Sequence, residues 1–302
     1  MKLFDTHVVA TFGKRFQRLV EDAKSLPGAS EYLEQMERYW RTYQPFASQD
    51  FQHQLLADDD KFYSLTWELM LGATLLEKGY HLEPSINDKR PDLCLILEGK
   101  RIWIECCLPT GGDPSKPNSV TETVLTSDGD FEFHDVDHDK SVLRCTQILS
   151  EKKRQHLRWI AKGVCNQDEP FLIALNGRNL QLSIFNSSLP QILRALYGTG
   201  DMYVVLDSKD AEYRESGYHF KPQIDKSETT PISTTFFLEK DNSHISGVLF
   251  STNWIMRSSS TPQYCYVENR GGSGWLDSLG HFLSGAWRIT DYAAVCRVVR
   301  WS

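Results

Sequence analysis

The residues of this chain best suited to chemistry are acids set among apolar neighbours: Glu68, Asp92 and Glu105, all within residues 62–109. Two carboxylates held close together repel one another unless a proton or a cation stands between them, and hard oxygen donors select Mg²⁺ or Mn²⁺. A divalent cation held there polarises a phosphoryl oxygen and lowers the pKa of a bound water, which is what phosphodiester hydrolysis requires. A positive group must also stand near the charge that develops. The same stretch offers a second kind of nucleophile in the adjacent Cys106 and Cys107. Neighbouring cysteines in an apolar strand are usually core thiols, and nothing in the sequence marks a base for them.

Three elements must position these acids. Leu65, Leu69, Leu75 and Leu76 recur at helical spacing and predict an amphipathic helix over 62–78, stopped where Gly79 can turn left-handed. Glu68 sits on that helix; a glutamate there is commonly solvated, so its role depends on what it faces. Pro91-Asp92 opens an apolar strand, Glu98-Gly99 makes a turn, and a second apolar strand carries Glu105. Alternation puts Trp103, Glu105 and Cys107 on one face, with Ile102, Ile104 and Cys106 on the other. With Glu98-Gly99 as a two-residue hairpin loop, Leu97 pairs with Lys100 and Asp92 falls opposite Glu105. A slip of one residue would put Asp92 on the wrong side. The bland alternatives are that Asp92 is a turn residue after Pro91 and that Glu105 is a strand-end carboxylate paired with Arg101 or a distant arginine.

Residues 141–162 predict a further helix ended by Gly163, with Ile148, Lys152, Gln155 and Trp159 on one stripe. This stripe aims a basic residue and an amide at the sheet or its rim, unless the lysine stem merely lies over apolar surface. Arg144, Lys152, Lys153, Arg154 and Arg158 also make the helix basic, more often a solvated face than a binding one.

A helical Glu, a Pro-Asp at the start of one strand and a Glu two positions before Cys107 on the next resemble the PD-(D/E)xK nuclease superfamily. Its restriction-endonuclease-like core runs helix, three strands, helix, strand. The resemblance covers about residues 60 to 176. It implies a Mg²⁺- or Mn²⁺-dependent hydrolase acting on DNA, with Glu68, Asp92 and Glu105 in the acidic positions and Asp92, Glu105 and the Cys106 carbonyl as metal ligands. Cys107 stands where the family has its lysine. The resemblance therefore implies that the lysine's role passes to Lys152 on the following helix, assisted by Gln155, with Lys153 as the neighbouring alternative. The rival reading is a catalytically inactive protein of the same fold that binds nucleic acid or another protein.

The remaining chain frames this core. Two stripes, Phe16, Leu19, Val20 and Ala23, then Tyr32, Leu33, Met36, Tyr39 and Trp40, predict an N-terminal helical hairpin covering the sheet, broken at Pro27-Gly28. The acidic run Asp58–Asp60 reads as a helix cap. Residues 109–140 form a long polar segment ending in Asp128, Asp130, His134, Asp135, Asp137, His138 and Asp139, whose spacing fits neither an EF-hand nor a zinc helix, so a solvated acidic loop is the reading. Strands are expected at 170–176, 202–207, 234–239, 245–251 and 263–269, a short helix near 190–197, and a loop over 207–231.

The organisation expected is an N-terminal helical region (1–57), an α/β core with a mixed central sheet flanked by helices (58–180), and a β-rich C-terminal region (181–302) in the same domain or a second one. At 302 residues with 40% hydrophobic and 12% aromatic content, the chain is long and apolar enough for a large core. Seven scattered cysteines fit a reducing compartment, and charges interrupt any leader-like run near residue 1, so a soluble, cytoplasmic protein with no membrane partner is expected. A net charge of −7 argues against a chain that coats nucleic acid non-specifically and leaves room for a local basic groove.

Overall fold

The structure, a computed structural model, describes residues 2–4, 11–25, 30–85, 89–120, 137–180, 190–227, 230–252 and 265–269, and the backbone of 287–289 and 298–300. It divides into two compact units: Met1–Leu108, Gln155–Asn176 and Asn253–Gln263 in one, Pro109–Arg154, Gly177–Thr252 and Tyr264–Ser302 in the other.

The first unit begins with four helices, α1 (Lys14–Ser25), α2 (Ser30–Tyr43), α3 (Phe51–Ala57) and α4 (Phe62–Glu77). Strands β1 (His81–Leu82), β2 (Leu93–Leu97) and β3 (Lys100–Cys107) follow as an antiparallel meander. Helix α5 (His138–Ala161) then leads to β4 (Phe171–Asn176), which pairs parallel with β3. A parallel pair needs a crossover, and the chain from β3 through α5 provides it. The sheet order is β1-β2-β3-β4, a mixed sheet with helices against it.

Local chemistry explains the hairpin. Glu98 and Gly99 both take positive φ, 51° and 75°, the two-residue turn whose twist suits a β-ribbon. Leu97 pairs with Lys100 and Leu93 with Ile104, as the turn predicts.

Helix α4 departs from the expected amphipathic pattern. Every residue from Thr66 to Leu75 is buried, because α2 and α3 pack on one side of it while β1 and β3 lie against another. The helix is a middle layer, and its apolar character on all sides is what such a layer requires. Trp67 fixes it to the sheet by donating Nε1–H to the Ala174 carbonyl at 2.9 Å. The helical hairpin thus packs on α4, and α4 lies on the sheet.

The acids before α4 are structural. Asp58 Oδ1 accepts from the Asp60 and Lys61 amides at 2.9 and 3.2 Å, and Asp59 Oδ1 accepts from the Arg15 amide in the first turn of α1 at 2.8 Å. Asp58 binds amides just ahead of α4, in keeping with the capping role expected of the run, whereas Asp59 serves the start of α1, which was not expected.

The second unit holds the first part of α5, α6 (Ile192–Tyr197), a ribbon of β5 (Thr199–Leu206) and β6 (Tyr213–Phe220), and a second ribbon of β7 (Gln223–Ser227) and β8 (Thr230–Ser233). Strands β9 (Gly247–Ser251), β10 (Cys265–Glu268), β11 (Trp287–Ile289) and β12 (Val298–Arg300) pair in that order. Two expectations are corrected. Residues 234–239 give a 3₁₀ turn at Phe236–Leu238 instead of a strand, and the supposed loop over 207–231 contains β6, β7 and β8. Strands open to water lack a buried face to impose apolar alternation, so periodicity passes over them. The expected ligand-like run from Asp128 to Asp135 lies outside the described residues.

Candidate functional site

Glu68 is only 7% exposed, the opposite of the solvated position usual for a helical glutamate. Its Oε1 accepts a hydrogen bond from the Tyr43 hydroxyl at 2.7 Å. One turn further along α4, a Cβ on Gly72 would stand 2.5 Å from Tyr43 Cε2. The missing side chain lets the phenol lie against α4 and reach back to Glu68. Burial first, and the Glu68 carboxylate second, push the Tyr43 hydroxyl well above the ordinary tyrosine range, so it remains a donor.

Asp92 stands at the mouth of the β2–β3 hairpin. Its Oδ2 accepts from the Cys106 amide at 2.7 Å. The observed register ends at Leu93 and Ile104; continued one residue further it would set Asp92 opposite Glu105. The Asp92 side chain thus serves as acceptor for a strand amide where β2 has ended. Because the N–H and C=O of one strand residue point to the same side, the Cys106 carbonyl faces this edge as well.

Glu105 is 4% exposed. Trp103 pairs with Phe171 and Glu105 with Ile173, so these side chains share one face of the sheet. On that face the α5 residue His156 stacks on Phe171, ring centroids 3.9 Å apart and planes 13° apart, with Trp159 at 6.0 Å. Glu105 therefore leaves β3 on the side covered by the turn of α5 that carries Gln155. Glu68 approaches the same strand with α4, on the side of Cys106. The proposed partner of Glu105, Arg101, is engaged elsewhere: its Nε lies 3.0 Å from Glu83 Oε2.

All three acids meet electrostatically at Cys106. Burial pushes that thiol well above its ordinary value, and the charges of Asp92, Glu68 and Glu105 add to the effect in that order. A thiol so placed stays protonated, which removes Cys106 as a nucleophile. Cys107 is buried on the opposite face of β3.

Lys152 and Gln155 lie one turn apart on α5 and are both half-buried. Gln155 belongs to the unit containing the acids, whereas Lys152 falls in the other. The helix buries a stripe rotated from the one expected: Val142, Cys145, Leu149, His156 and Trp159 are its inner positions, Lys152 lies on the same stripe by spacing and is half-buried, and Ile148 and Gln155 flank it.

No family model, no curated protein and no solved structure matches this chain. Function must be argued from the site itself. Among the described residues no group of three or more His, Cys, Asp or Glu side chains is placed to hold a metal ion. Mg²⁺ needs fewer: it is commonly held by one or two carboxylates and keeps several waters. Two carboxylates of this structure, Asp92 and Glu105, lie near Cys106.

Two residues of the site escaped the sequence reading. Tyr43 lies one turn past the Tyr32–Trp40 stripe and His156 beside the Ile148–Trp159 stripe, and neither is singled out by the sequence reading. A tyrosine or histidine on an apolar stripe is a signal only when a buried partner is known.

Proposed function

We propose that this chain is a nuclease-like protein of the PD-(D/E)xK type that hydrolyses phosphodiester bonds of DNA with Mg²⁺ or Mn²⁺. The observation that carries the reading is the register of β2 on β3, which continued one residue further would set Asp92 opposite Glu105 at the end of the hairpin. The run of elements α4-β1-β2-β3-α5-β4 supports it.

In this reading Asp92 and Glu105 hold the metal, aided by the Cys106 carbonyl. When bound, the metal supplies charge to a phosphoryl oxygen and acidifies water. Tyr43 holds the Glu68 carboxylate in place through its hydroxyl, and Glu68 positions a second ion or a water. Gln155 orients water on the Glu105 side. Lys152, taken from its place in the sequence one turn before Gln155, is the cation for the developing charge.

A second reading, a protein of this fold that binds nucleic acid or protein without cleaving, is favoured by one observation. Asp92 already has a structural task at the Cys106 amide. Plasmid and single-stranded DNA cleavage with Mg²⁺ or Mn²⁺ separates the two. Asp92→Asn keeps an acceptor for the Cys106 amide while removing the charge, and Glu105→Gln does the same on the other strand. Each is expected to lower cleavage about 100-fold or more. Wild-type cleavage unchanged by both would overturn the catalytic assignment; no cleavage, with no metal uptake in calorimetry, would establish the binding protein.

A further inference from the structure

Of the exposed large apolar residues among the described part of the chain, Met202, Val204, Val205, Leu206, Tyr213 and Phe220 all belong to the β5–β6 ribbon. Their register divides them by face. Met202 lies opposite Tyr218 and Val204 opposite Ser216; after a one-residue shift Leu206 lies opposite Tyr213. These six share one face, and the Tyr213 hydroxyl meets Ser216 Oγ across it at 3.1 Å. Met202, Val204, Leu206 and Tyr213 are 54%, 52%, 53% and 62% exposed. The reverse face carries Tyr203, Val205, Gly217 and Glu215, with His219 against the Tyr203 ring at 5.0 Å.

These six residues carry no charge. Of the ribbon's acids and bases, Asp207, Lys209, Asp210 and Glu212 lie in its turn, Arg214 at the register shift beside it, Asp201 near the start of β5, and Glu215 on the reverse face. Asp207 accepts from Arg214 Nε at 3.1 Å and from its Nη2. A two-stranded ribbon with an apolar face in water is marginal without a third layer or strand to cover it.

We infer that this face is the contact surface for a second copy of the chain, the two ribbons stacking face to face about a two-fold axis. Size is the first argument. Four side chains, each leaving about half of a roughly 200 Å² surface in water, offer on the order of 400 Å² of apolar area, enough to mark a contact site. Two such faces supply about 800 Å², close to the apolar share of a standard interface of about 1,600 Å².

Charge is the second argument. Asp201, Asp207, Asp210, Glu212 and Glu215 outnumber Lys209 and Arg214, so the ribbon disfavours a nucleic acid or an anionic surface. The face itself is neutral and meets its own copy without like-charge repulsion. A two-fold contact is self-complementary by construction, the commonest form among homo-oligomers. This surface belongs to the second unit, and the inference does not depend on the proposed activity.

Sedimentation velocity on the full chain, over a hundredfold dilution range ending near about 1 μM, tests it. The wild type is expected to sediment as a dimer that dissociates on dilution. Val204→Lys is expected to raise the dimer dissociation constant at least tenfold, whereas Val205→Lys on the reverse face leaves it within about twofold. Val204→Thr, which keeps a β-branched side chain, guards against loss of the ribbon and should weaken the dimer less than lysine does. A wild type that is monomeric throughout would overturn the inference and give the face to a different protein. A dimer insensitive to Val204→Lys, or equally sensitive to Val205→Lys, would also overturn it.

Discussion

The α4–β3 layer and the β5–β6 ribbon break the ordinary arrangement of residues in opposite directions. The first holds Glu68 and Glu105 out of water, while the second holds Met202, Val204 and Leu206 in it. Burying a carboxylate and exposing an apolar face both cost free energy, and each cost is relieved by a partner. In the α4–β3 layer one such partner is already present, since the Tyr43 hydroxyl lies on Glu68. On the ribbon the partner must come from a further surface. The difference teaches that the acids belong to a preorganised interior, whereas the ribbon is prepared for association.

Breaking the interior should have the largest effect. Trp67→Ala removes a fully buried ring and its bond to the Ala174 carbonyl. It is expected to lower unfolding free energy by about 3–5 kcal/mol in urea titration. If α4 were a dispensable surface helix, the loss would be far smaller.

Gly72→Ala sharpens the comparison through its sign. In an open helix this change stabilises by about 1 kcal/mol, but here the new methyl group would meet the Tyr43 ring. The expected outcome is a net loss of about 1–3 kcal/mol by the same titration. A rise in stability would show that Tyr43 can move aside.

Tyr43→Phe acts on one hydrogen bond. Loss of a buried bond to a carboxylate should cost about 1.5–3 kcal/mol. Should Glu68 serve the proposed metal chemistry, cleavage should also fall about tenfold while Lys152 and Gln155 stay unaltered. Stability reduced with cleavage untouched would confine Glu68 to a structural role.

Acid should have the smallest effect, and on the ribbon. The Lys209 amide and then Arg214 hold the Asp207 carboxyl below the ordinary carboxylate range. A folded pKa below the unfolded one contributes stability that is present above the unfolded value and lost as pH falls through the folded one. Amide chemical shifts at the ribbon's turn should therefore move at pH below the ordinary aspartate range. Asp207→Asn should abolish that movement, and a wild-type response centred in the ordinary aspartate range would show that the Lys209 amide and Arg214 do not hold the carboxyl in solution.

Local chemistry made much of the acid pair legible. Glu98-Gly99 is a turn signal complete in two residues, and it sets Leu97 on Lys100 and Leu93 on Ile104, the register from which the acid pair is argued. The capping role of Asp58, the end of α4 at Gly79 and the burial of 171–176 were legible for the same reason. The strands β6 to β8 were not, because polar residues on a strand open to water look like loop residues. Nor was the full burial of α4 read from its sequence: its apolar residues were fitted to a single stripe, although Trp67, Met70 and Leu71 stand off it.

From its own letters, then, the sequence determined the hairpin register, the ends of α4 and α5 at their glycines and the succession α4, β2, β3, α5, β4, since each depends on residues a few positions apart. Tertiary structure alone decided that Tyr43 meets Glu68 across 25 positions, that His156 stacks on Phe171, and that Glu105 leaves β3 on the α5 side while Glu68 approaches with α4. These contacts join elements whose neighbours in space are set by packing, and no local pattern encodes which side of a shared strand each element will cover.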